Sequence, residues 1–74
     1  MEKHSVLKVL RETIKEDYIL SEDYQDKYYL SRQILEKLPD YAEEDIYRAI
    51  DLANAAVKHP RRNEKFLEAL AENF

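Results

Sequence analysis

The chain has 74 residues and a formal charge of −4; charged residues make up 38% of it, and it contains no Cys, no Trp and no Gly. That composition excludes a disulfide scaffold, a thiolate nucleophile, a Cys-based zinc site and a disordered tail, and it sets the scale of one small domain. No apolar run approaches the roughly 20 residues that cross a bilayer, the opening Met-Glu-Lys-His reads as neither a signal peptide nor a myristoylation site, and a cytoplasmic protein is the expectation.

Without Gly the chain lacks its cheapest source of positive-φ turns, and no segment sustains a period-2 alternation, so the pattern predicts an all-α fold. A first helix is expected from His4 or Ser5 to Asp17, with Val6, Leu7, Leu10 and Ile14 as its apolar stripe. The next stripe is out of phase with it by about 100°, which calls for a short break around Tyr18 to Ser21. A second helix follows from Glu22 to Lys37, with Ser21 as its N-cap. Its stripe is Tyr24, Tyr28, Leu30, Ile34, Leu35 and Leu38, which puts Tyr24 and Tyr28 in the core or at its edge. Pro39 ends it.

Asp40 and Glu43 form a D-x-x-E start for a third helix reaching about Lys58. Ala42, Ile46, Ala49, Ile50, Ala53, Ala56 and Val57 make its inward face, and the alanines permit close approach of a neighbouring backbone. Pro60 stops this helix, and a fourth from about Arg62 to Glu72 turns Phe66, Leu67, Leu70, Ala71 and Phe74 inward. Short connections imply antiparallel neighbours. The expected architecture is a small antiparallel helical bundle, three main helices plus a short C-terminal fourth, in one domain spanning residues 1–74.

Charge is unevenly spread. Residues 1–57 carry 8 Lys/Arg against 13 Asp/Glu, and residues 58–74 carry 4 against 3. The acidic balance disfavours nucleic acid or an anionic membrane as the main partner. His4 and His59 have no evident nucleophile beside them, and no G-x-S-x-G, H-E-x-x-H or P-loop is present. The acidic groups at residues 16–26 and 40–45 lack EF-hand spacing, and no E-x-x-H occurs. They read as helix-start carboxylates. No catalytic residue, metal or cofactor is expected.

Two clusters remain. Lys58, Arg61, Arg62 and Lys65 could grip an anion, but the acidic 16–26 segment lies at the same end of an up-down bundle and is their natural counter-charge. Tyr29 and Tyr47 fall on otherwise polar helix faces, with Arg32 and Arg48 beside them, and such rings are favoured interface anchors. A core this small gains from further burial. The leading expectation is therefore a non-enzymatic protein–protein interaction module, self-associating as a homodimer or serving as a small subunit of a complex. The alternative is a nucleic-acid or phosphate-binding regulator using residues 58–65.

Overall fold

The structure is a computed structural model that describes residues 2–74. Four helices follow one another: α1 (Lys3–Thr13), α2 (Tyr24–Lys37), α3 (Glu43–Ala56) and α4 (Asn63–Ala71). α1 packs on α2 and α4, and α3 packs on the same two, so the helices close a ring around one core. Val6, Leu10, Ile14, Ile34, Ile46, Ile50, Phe66, Leu67 and Leu70 fill that core. The expected all-α bundle is what forms. The short α4 is as central as the others, because Phe66, Leu67, Leu70 and Ala71 are all buried.

The largest departure is the connection between α1 and α2. α1 stops at Thr13, not Asp17, and Ile14 turns extended. Asn63 Nδ2 donates to the Ile14 carbonyl at 2.9 Å, satisfying one of the acceptors that a helix end leaves open. Residues 17–19 then pair antiparallel with 61–63: Ile19 N–H donates to Arg61 O at 2.8 Å, and Asn63 N–H donates to Asp17 O at 2.9 Å. This pairing and the burial of Ile19 and Ser21 hold open a segment that helix propensity alone would continue.

Other boundaries shift for identifiable reasons. The N-cap of α2 is Asp23, whose carboxylate accepts from Asp26 N–H at 3.0 Å. Ser21 is instead buried, where its hydroxyl donates to Asn54 Oδ1 and Asn54 Nδ2 donates back to the Ser21 carbonyl at 2.7 Å. α3 begins after Ala42 with no side-chain cap, so Asp40 does not serve as one.

Tyr24 and Tyr28 are not core residues; Tyr24 is 76% exposed. The buried face of α2 is Leu30, Ser31 and Ile34. Ser31 can be buried because its hydroxyl donates to the Tyr28 carbonyl at 2.7 Å. Leu30, Ile34 and Leu38 of the expected stripe are buried, and Ser31 completes that face at a position apolar periodicity passes over. On α3, Ala49 and Ala53 are buried as expected, whereas Ala42 and Ala56 are exposed. Phe74 is half-buried and meets Tyr41 edge-to-face at 4.9 Å.

Candidate functional site

Two features meet at the α1–α2 connection. The first is a polar brace. Arg61 is only 6% exposed, and its guanidinium donates to Glu22 Oε1 at 2.8 Å and to the Asn54 carbonyl at 3.2 Å. Asn54 is also the partner of Ser21. One set of side chains thus ties the α1–α2 connection, the last turns of α3 and the α3–α4 connection. The Arg61 hydrogen bond, reinforced by its charge, holds the Glu22 carboxyl below the usual glutamate range.

The second feature is a groove beside that brace. Around the Tyr18–Arg62 bridge the backbone pairs as a strand does, so neighbouring side chains there point to opposite sides. Ile19 and Ser21 face inward and are buried. Glu16, Tyr18 and Leu20 fall on the other side, where Tyr18 is 50% and Leu20 67% exposed. Together with Asp26, Tyr29, Leu30 and Gln33 of α2 they line a depression of ≈ 270 Å³, floored by Ile14 and Ile19. Tyr29 at its edge is 72% exposed. The lining holds two carboxylates, Glu16 and Asp26, and no cationic side chain. Partial desolvation and the adjacent Asp23 carboxylate push the Asp26 carboxyl up from its ordinary value.

The residues singled out in the sequence are distributed as follows. Tyr29 lies on this groove, which no residue of α3 lines. Tyr47 is half-buried, with its hydroxyl enclosed and lacking a hydrogen-bond partner. Arg32 stacks over the Tyr28 ring at 5.7 Å, and Arg48 pairs with Asp45 of its own helix at 3.2 Å. The structure therefore does not bring Tyr29, Tyr47, Arg32 and Arg48 together around a single depression. Arg61 is committed to the brace. Arg62 lies over the Tyr18 ring at 5.9 Å, and Lys58, Arg62 and Lys65 line a separate depression with Pro60. The expected charge matching between 58–65 and 16–26 is realised in the Arg61–Glu22 pair.

Sequence reasoning missed Tyr18 and Leu20. Their signal was the run Tyr18-Ile19-Leu20, aromatic, β-branched and aliphatic between polar neighbours, which suits an extended segment. His4 and His59 are both exposed, and among the described residues no three His, Asp or Glu side chains converge to hold a metal ion. No helix among them is long and apolar enough to cross a membrane. Comparisons with protein-family models, with curated proteins and with solved structures find no match for this chain.

Proposed function

We propose that this chain is a non-enzymatic protein–protein interaction module that docks through the groove between residues 16–20 and α2. The observation that carries the reading is the convergence of Tyr18, Leu20 and Tyr29, three large exposed side chains, around one depression with an apolar floor. Scattered exposed apolar residues are ordinary on any surface. Three of them around a shared concavity form the kind of anchor patch that interfaces use, and tyrosine supplies wide contact area with little rotamer entropy to lose. Anion binding at 58–65 has less support, because Arg61 is withdrawn into the brace and only Lys58, Arg62 and Lys65 of that cluster remain exposed.

The test compares wild type with a Leu20→Ser/Tyr29→Ala double variant in cross-linking from the native host, read by mass spectrometry. Both positions are exposed, so circular dichroism should show equal helicity. Wild type is expected to capture a defined protein, another chain or its own copy, and the double variant to lose it. Equal capture by both proteins would exclude this groove as the docking surface.

A further inference from the structure

We propose that the groove accepts a short extended segment of a partner protein that carries Lys or Arg together with apolar anchors, and that this segment lies along the backbone edge at Tyr18. The proposal rests on the docking reading above and names the chemistry of its occupant.

Charge is the first support. The groove lining contains Glu16 and Asp26 and nothing cationic. The neighbouring depression adds the carboxylates Glu22 and Asp23 against His59 and Arg61, and Arg61 is already paired with Glu22. Asp26 sits beside Asp23, and neither carboxylate has a cationic partner among the ion pairs of the described residues. A lysine or arginine seated at the groove would supply the missing counter-charge.

The backbone is the second support. In an antiparallel pair, successive residues send their N–H and C=O groups alternately toward and away from the partner strand. Asp17 O and Ile19 N–H are used toward residues 61–63. The Tyr18 N–H and C=O are therefore directed away from that pairing, and neither has a hydrogen-bond partner among the described residues. A free edge of this kind is what an added extended segment pairs with, while pockets beside it take alternate side chains. A depression of ≈ 270 Å³ falls below the usual size of a small-molecule pocket, about 300–1,000 Å³, but it has room for apolar side chains of a peptide.

A second copy fits less well. A two-fold contact places the same patch on both subunits, which here would bring two surfaces together that each carry Glu16 and Asp26 and no cation in the groove lining. A cationic partner turns the same carboxylates into favourable contacts.

The experiment is selection of displayed random heptapeptides on the immobilised full chain, followed by fluorescence anisotropy with a synthesised, selected peptide. The expected outcome is enrichment of Lys or Arg with apolar residues at alternate positions. That peptide should bind Leu20→Ser/Tyr29→Ala about tenfold or more weakly than wild type, and Asp26→Asn also more weakly. Asp26→Asn should at the same time raise the melting temperature, because it removes a carboxylate that the folded state disfavours; a merely structural role would not move stability and affinity in opposite directions. No enrichment, enrichment of acidic or uncharged sequences, or binding indifferent to these substitutions would overturn the proposal. Sedimentation equilibrium separates the two readings. If wild type self-associates and the double variant abolishes that, the groove is still a docking surface but its occupant is a second copy, and this inference falls alone.

Discussion

Two adjacent arginines show how far residue identity falls short of residue role. Arg61 and Arg62 are indistinguishable in the sequence as members of a basic run. Arg61 is buried and makes two charge-assisted contacts, whereas Arg62 is exposed and lies over Tyr18. Hydrogen bonds to charged groups contribute more than neutral ones, and a buried arginine stem also contributes packing. Arg61→Ala should therefore cost about 2 kcal/mol of stability, and Arg62→Ala under about 0.5 kcal/mol, read by urea denaturation of each variant. Equal effects would mean that the brace does not form in solution. Arg61→Lys should recover only part of the loss, since an ammonium cannot present the planar fork that reaches both Glu22 and the Asn54 carbonyl.

At the scale of elements, the alanine face of α3 divides in two. Ala53 is fully buried, while Ala56, one turn on, is exposed at the end of the helix. Ala53→Leu should overpack the core and cost about 1–3 kcal/mol, and Ala56→Leu should leave the melting temperature nearly unchanged; a thermal scan of both variants checks the contrast. The helices themselves were legible in the sequence, because Val6, Leu10, Ile46, Ile50, Phe66 and Leu70 recur at helical spacing and all prove buried. The stop at Thr13 was not. No Gly or Pro marks it, and its cause is a set of contacts from residues 61–63, more than forty positions away. Of the candidate site, Tyr29 was visible as a ring on a polar face. Tyr18 and Leu20 were not, because their exposure follows from the extended backbone that those distant contacts impose. Ser21, expected as an N-cap, and Ser31, which no apolar pattern marks, are both buried because a hydrogen bond satisfies each.

Across the whole molecule, carboxylates set the response to acid. Glu22 is held below its ordinary value by Arg61, and Glu72 by its 2.8 Å contact with Lys3, a pair that joins the two ends of the chain. A carboxyl lowered on folding contributes stability above its unfolded value, and that contribution is lost as pH falls through the folded value. Asp26 is raised instead, so its ionised form opposes folding at neutral pH and protonation relieves it. On acidification the melting temperature should fall below about pH 4.5, the ordinary glutamate value, as the Glu22 and Glu72 contributions are lost, with protonation of Asp26 offsetting part of that fall. Asp26→Asn should remove that offset and steepen the fall, and Glu22→Gln should soften it, both followed by thermal melts across pH. A profile unchanged by either substitution would show that these contacts do not persist in solution.

The pairing of residues 17–19 with 61–63 also writes an isotope-exchange signature into a segment that carries no helix. The amides of Ile19 and Asn63 are bonded across the bridge, and that of Tyr18 is not. Deuterium should therefore enter Tyr18 quickly and Ile19 slowly, a contrast between neighbours of the sort that separates protected from open amides in native proteins. Because Ile19 and Asn63 are held by each other's segments, their protection should collapse together when either strand is loosened, as in Arg61→Ala. An arriving extended partner would reverse the contrast at one position alone, slowing the Tyr18 amide while leaving Ile19 as it was.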